Sequence, residues 1–316
     1  MKRSLLAFII LIITAVSCSC SSPPASLEVS PALVRVVVTR NFGQELIFDK
    51  LVQIDAGTSA LDALKRVAEV KTKYGGGFVS SINGIRSEYG GVNSAKRDWF
   101  FYINGIMSNM GALDYVLCTG DVEQWDFHDW SFHTFIPATI GAFPETFRQG
   151  FQEKTGPTLI AYSANFKQAA EDLAIQLSQS GVTNVSIRSF GELREKERAS
   201  SNLILLSMTS DDLVTELNRN WRRMGFFSCI EDGTIVTFNA KGEVSGHYAA
   251  RAGLIQATQN PWNPKGVGAG ENVVWMLTGT DRMGVEGALD VLIRRPSEIR
   301  YAFAAVVVRD QIAKVP

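Results

Sequence analysis

Trp99-Phe100-Phe101-Tyr102-Ile103-Asn104-Gly105 runs four aromatic side chains into Ile103 and closes on an Asn-Gly turn, the pattern of a strand entering a hairpin. Trp99, Phe101 and Ile103 fall on one face of it. The same punctuation recurs upstream, where Phe78 to Ile82 is followed by Asn83-Gly84. Before that strand, Thr58 or Ser59 caps a stretch with Leu61, Leu64, Val67, Ala68 and Val70 at helical spacing, which predicts a helix ended by Tyr74-Gly75-Gly76-Gly77. Leu33 to Thr39 and Leu46 to Ile54 flank Asn41-Phe42-Gly43 and predict an opening hairpin. Val122 to Trp130 supplies a last strand. Hairpin, helix and further strands are the element order of an α+β, β-grasp-like domain, expected over 33–140.

From Gly141 to Gly156 the sequence turns to Pro, Gly, Phe and polar residues, which predicts a linker over 141–156. Residues 157–316 then alternate strand and helix. Leu159 to Tyr162, Val185 to Ile187, Leu203 to Ser207, Val273 to Leu277 and Ala304 to Val308 are apolar strand candidates. Helices are expected over Phe166 to Leu177, Asp211 to Arg222 and Gly284 to Ile293, the last capped by Thr280 or Asp281, and a hairpin from Ile235 to Val244. This rhythm predicts an α/β domain with a mostly parallel sheet.

The first residues carry an export signal: Lys2 and Arg3, an apolar run from Leu5 to Val16, then Ala15-Val16-Ser17-Cys18. The run is too short to span a bilayer. Ala-Val-Ser-Cys resembles a bacterial lipobox, which predicts a signal peptide over 1–17, lipid on Cys18 and a Ser/Pro-rich tether over 18–32. The expected place of work is the extracytoplasmic face of a cell membrane. The formal net charge is −1, and removing Lys2 and Arg3 with the leader takes it to about −3. A balance this close to neutral excludes an electrostatic footprint for nucleic acid. Of the four cysteines, Cys118 and Cys229 fall in the folded part, where an oxidising compartment would allow a bridge between them and two separately buried thiols are the expectation.

Trp99 to Gly105, Gly111, Tyr115, Gly120-Asp121 and Trp125, with Ala56-Gly57-Thr58-Ser59-Ala60-Leu61-Asp62-Ala63-Leu64 before them, resemble the transcobalamin-like C-terminal domain family, a DUF4430-type β-grasp module. The resemblance covers about Leu33 to Trp130. It implies that the loop from Ile106 to Tyr115 lies against one face of a corrinoid, with Met107, Met110, Gly111, Tyr115 and Trp125 as ligand-binding candidates. Read as residues alone, the motif divides between two roles: core strands and left-handed turns, or an adaptable Met-containing rim for a planar ligand. The helical partner domain of the family's cobalamin carriers has no counterpart in this chain.

His128 and His133 are weak metal candidates amid Trp125, Phe127, Trp130, Phe132 and Phe135. Gly266-Val267-Gly268-Ala269-Gly270 precedes a strand and lacks a Lys-Ser/Thr pair, so it reads as a flexible connection, not a phosphate loop. Glu271 and Asp281 have no defined relation, and no nucleophile-base or zinc-protease pattern is present. The expected function is non-enzymatic: an exported, membrane-anchored ligand-binding lipoprotein, with a corrinoid (cobalamin-like) ligand as the named candidate. The alternative is a cell-surface structural, adhesion or glycan-associated protein that meets other surface proteins and holds no small ligand.

Overall fold

The computed structural model describes residues 31–88 and 95–316. The export signal, Cys18 and nearly all of the tether lie outside them. Residues 32–316 form one compact unit.

In chain order, the first half consists of β1 (Leu33–Arg40), β2 (Glu45–Gln53), helix α1 (Ala60–Lys65), β3 (Val70–Lys73), β4 (Phe78–Ile82), β5 (Ile85–Arg86), β6 (Arg97–Ile103), β7 (Ile106–Met107) and β8 (Val122–Asp129). A short helix α2 (Glu145–Arg148) leads to β9 (Thr158–Tyr162), α3 (Lys167–Gln179), β10 (Val185–Ser189), α4 (Glu195–Ser200), β11 (Asn202–Met208) and α5 (Asp212–Arg219). The chain ends with β12 (Ser228–Glu231), β13 (Thr234–Phe238), β14 (Val244–Tyr248), β15 (Ala252–Gln259), β16 (Val273–Gly279), α6 (Arg282–Arg294), β17 (Ala304–Val308) and β18 (Gln311–Val315).

The first sheet runs β2-β1-β8-β6-β7, with β1 and β8 parallel at its centre and the other pairs antiparallel. This is the expected β-grasp-like arrangement. Val34, Val36 and Val38 of β1 point toward α1, where Leu61 and Leu64 are fully buried. Ser59 Oγ accepts from the Asp62 amide at 3.1 Å and caps the helix. The helix is shorter than its apolar spacing predicts. Val70-Lys71-Thr72-Lys73, with β-branched residues at alternate positions, pairs instead with β4.

The second sheet runs β10-β9-β11-β16-β15-β17-β18. Its first four strands are parallel and the remaining pairs antiparallel, so the sheet is mixed where a mostly parallel one was expected. The difference arises at β15, which carries Gln256 and Gln259 although every residue of it is buried. Helices α3 and α6 cover one face of this sheet and α5 the other. Asp281 caps α6 through the Gly284 amide at 2.9 Å. The expected hairpin, β13 and β14, forms a separate sheet with β12.

The segment 141–156, expected as a linker, is a packed seam. Phe147 and Phe151 are buried, and the fully buried Trp275 of β16 meets the rings of Phe143 and Phe147 at 5.8 and 5.1 Å. Each such phenylalanine contributes roughly 1.5–3 kcal/mol of burial, which ties the halves into one core. On its other face the first sheet packs Phe42, Phe100 and Tyr102 against Phe303, Ile136 and Phe227.

Candidate functional site

The structure closes the loop from Ile106 to Tyr115. Ile106 and Tyr115 are buried, and Met107 and Met110 are half-buried against the two cores. The cover comes from the second half: Gln259 Nε2 donates to the Met107 and Pro137 carbonyls at 3.3 and 3.1 Å, and its Oε1 accepts from the amides of Gly268 and Gly270. Asn109 Nδ2 donates to the Ala269 carbonyl at 3.1 Å. The glycine-rich segment 266–270 is therefore pinned onto the loop. Gly111 accepts from Tyr115 in a turn, and the Tyr115 hydroxyl accepts from the Gln152 amide. Trp125 is buried, stacked 4.9 Å from Phe101, and donates to Glu123. Ile106, Met107, Met110, Tyr115 and Trp125 thus do the work of a core, and Leu113 is the large apolar side chain of the loop left exposed.

The two histidines are separately engaged. His128 lies between the rings of Phe42 and Phe100 at 4.5 and 4.4 Å, with Nδ1 2.8 Å from Asp126 Oδ1. His133 Nε2 donates to the Phe226 carbonyl at 2.8 Å, and burial holds its pKa below the usual value. Among the described residues no group of three His, Cys, Asp or Glu is placed to hold a metal. Cys118 and Cys229 are free, and burial raises their thiol pKa values to about 11 and about 12. Glu271 pairs with Lys265 and Lys154, while Asp281 caps α6, so they form no acid pair.

A cleft of about 480 Å³ opens elsewhere, where the first sheet meets the ends of α3 and α6. Its walls come from five separate stretches: β1 (Arg35), β8 (Gln124), the seam (Gly141), the end of α3 (Ser180) and the turn after α6 (Arg300, Tyr301). Arg35 is fixed by Asp49 at 3.0 Å, and Asp49 also accepts from the Tyr301 hydroxyl. Burial, then the Asp49 carboxylate, raise the Tyr301 phenol above its ordinary pKa. Gln124 Nε2 donates to the Tyr301 carbonyl at 3.1 Å.

Tyr301 itself has φ +69°, a conformation that a non-glycine residue adopts at a cost. Two glycines permit it. A Cβ at Gly43 would lie 1.8 Å from the Tyr301 carbonyl oxygen, and one at Gly141 would lie 2.4 Å from its Cα. The backbone of both halves thus closes to contact at the back of the cleft, and Tyr301 is held there against its own preference.

The full charges at the cleft are paired, with one exception. Arg35 is offset by Asp49, Arg294 by Asp290 and Glu145 by Arg148. The carbonyl ends of α3 and α6 each bring about half a negative charge, which falls off within the last turn. Arg300 is exposed, sits beside the Tyr301 phenol, and has no carboxylate partner among the described residues. It is the uncompensated full charge at the mouth.

Fold and site together give a β-grasp-like α+β sheet joined through a packed seam to a mixed, helix-covered sheet, with a polar cleft where they meet. Residues 57–129 match the family described as Domain of unknown function (DUF4430), so the resemblance read from the motifs holds for this part of the chain. The matched segment leaves out β1 and β2, which belong to the same sheet. Among solved structures, the chain is similar to one titled "Crystal Structure of Haptocorrin in Complex with Cbi", at 15% identity and a TM-score of 0.26, covering 32% of this chain and 25% of that one. It is also similar to a putative metal binding protein from Ruminococcus gnavus ATCC 29149, at 13% identity and a TM-score of 0.22, covering 31% of this chain and 96% of that one. The chain thus spans a quarter of the haptocorrin chain's length, and neither superposition is close enough to define a site. No curated protein matches the sequence.

Proposed function

We propose that this chain is an exported protein, anchored through lipid on Cys18 to the extracytoplasmic side of a membrane, that captures without catalysis a ligand bearing an anionic group. The observation that carries the reading is the Arg300 guanidinium, beside the Tyr301 phenol and without a carboxylate partner among the described residues, at the mouth of the cleft of about 480 Å³, a volume within the range of small-molecule sites. Anchoring is supported by the leader and the Ala15-Val16-Ser17-Cys18 ending.

A corrinoid remains the ligand that the family resemblance implies. The closed 106–115 loop gives it no surface there, and the cleft takes only its anionic edge, the phosphodiester of the nucleotide loop. This makes a chemical prediction. Cyanocobalamin, which carries that phosphodiester, should bind with a change in its absorbance spectrum, whereas dicyanocobinamide, which lacks it, should not. At a free concentration a hundred times the Kd, binding should stabilise the protein by about 2.7 kcal/mol and raise its thermal midpoint by roughly 5–10 °C. No spectral change with either compound removes the corrinoid assignment, and equal binding of the two removes the phosphodiester as the group recognised. Failure of every anion to bind leaves the structural or adhesion role, which the filled loop favours for its own surface.

A further inference from the structure

We infer that the end of the β-grasp sheet at which the chain enters, presenting Leu33, Leu51, Leu113 and Val116, rests on the lipid surface to which the protein is anchored. This inference depends on the anchoring reading above and is independent of the cleft.

Backbone hydrogen bonds define that end. The Ala32 carbonyl accepts from Ile54, the Leu33 carbonyl from Gly120 and the Thr58 carbonyl from Leu117, at 2.8–3.0 Å. Ser59 bridges to Val116, and the Ala112 carbonyl accepts from Leu61. The entry of the chain, the end of β2, the start of α1 and the loop 112–120 therefore meet at one end of the sheet, with Leu33 and Leu51 on the face away from α1 and Leu113 and Val116 beside its start. The turn at Tyr74–Gly76 adjoins it, since Gly76 lies against the Leu113 side chain.

Leu33, Leu51, Leu113, Val116 and Tyr74 are 36%, 62%, 45%, 51% and 81% exposed, and they are five of the ten large hydrophobic residues so exposed among the described residues. Apolar side chains scattered singly need no explanation, but their concentration at one end does. A tyrosine among leucines is the composition of a membrane–water interface, where an apolar body and a polar tip are both satisfied. The Asp55–Arg66 ion pair and Asp114 border the same surface, which keeps the contact shallow.

The occupant follows from the tether. Thirteen residues separate Cys18 from Ala32. Even fully extended they reach at most about 45 Å, whereas a compact unit of this length has a radius of gyration of about 19 Å and so a diameter of roughly 50 Å. A lipid on Cys18 therefore holds the entry end toward the bilayer most of the time, and the apolar side chains there meet lipid instead of water.

The test places single spin labels on the full lipidated protein in phosphatidylcholine vesicles, in a Cys20→Ser, Cys118→Ser, Cys229→Ser background. Labels at Leu51→Cys and Val116→Cys should be relaxed by dissolved oxygen more than by a water-soluble nickel complex. Labels at Val244→Cys and Met283→Cys, exposed in β14 and at the start of α6, should show the inverse order. Hydrogen exchange of the unsubstituted protein should agree, with slower exchange at 50–53 and 112–118 on anchoring. Protein that sediments with vesicles but has water-exposed labels and unchanged exchange at these sites overturns the inference and leaves anchoring intact. Protein that stays in solution overturns both.

Discussion

Asp126→Ala should destabilise the protein by about 3–5 kcal/mol, the cost of leaving buried partners of a carboxylate uncompensated, and lower the thermal midpoint by roughly 10 °C. The Asp126 carboxylate is fully buried and is met by the Phe42 and Gly43 amides at 2.9 and 2.8 Å, the Thr39 hydroxyl at 2.6 Å and His128 Nδ1 at 2.8 Å. Removing it strands two backbone N–H groups and the imidazole inside the junction between the sheets. Gly43 is also the residue against which Tyr301 is wedged. The variant should therefore lose the cleft's shape together with stability, whereas Asp126→Asn, which keeps an acceptor oxygen, should cost less. Thermal unfolding followed by circular dichroism separates the two. Equal midpoints for Asp126→Ala and the unsubstituted protein would mean that the carboxylate holds nothing.

The second large effect is on pH dependence. Glu123 is fully buried, accepts from Trp125 Nε1 through one carboxylate oxygen, and has no protein partner for the other. Burial pushes its pKa up to about 8, opposed by the Trp125 bond and assisted by the nearby Asp121 charge. The folded protein thus holds a proton that the unfolded chain releases near its ordinary value of 4.5. The contribution is complete below 4.5 and is lost as pH rises through about 8. Across that window it amounts to at most about 4–5 kcal/mol. Glu123→Gln, neutral throughout, should flatten this part of the profile and be the more stable form at pH 8. Urea unfolding at pH 5 and pH 8 measures it, and parallel slopes for the two proteins would refute the buried neutral acid.

Much of the fold is legible in the residues because it rests on local pattern. Phe78–Ile82 and Ala304–Val308 are strands with the bounds their apolar runs suggest, and Asp281 caps the helix it precedes. The failures have a common cause, which is tertiary context acting on ambiguous text. Val67, Ala68 and Val70 fit a helix until β4 is available to pair with Val70–Lys73. β15 hides behind Gln256 and Gln259, whose amides are satisfied only by distant partners such as Ser228 and Pro137. The Pro- and Gly-rich seam looks like a linker because its phenylalanines have no periodicity, and distant partners, Trp275 for Phe143 and Phe147 and Tyr115 for Phe151, give them a place.

The site was less legible than the fold. Its motif residues, Trp99 to Trp125, mark a family and a core, and the structure places Tyr115 and Trp125 inside. The cleft draws on β1, β8, the seam, α3 and the turn after α6, so no spacing in the sequence connects Arg35 with Gln124 or Tyr301. The one local signal is the cationic run Arg294, Arg295 and Arg300 around Pro296, and it does not say which guanidinium lacks a partner.

Calorimetric titration of the lipidated protein with inorganic phosphate, citrate and cyanocobalamin tests capture at the cleft most directly. The account predicts saturable heat at one site per chain for at least one of them, lost in Arg300→Ala while the thermal midpoint of the ligand-free variant stays within about 1 °C, because an exposed substitution changes stability little. No heat from any of the three at millimolar concentration, or the same heat in Arg300→Ala as in the unsubstituted protein, would contradict it.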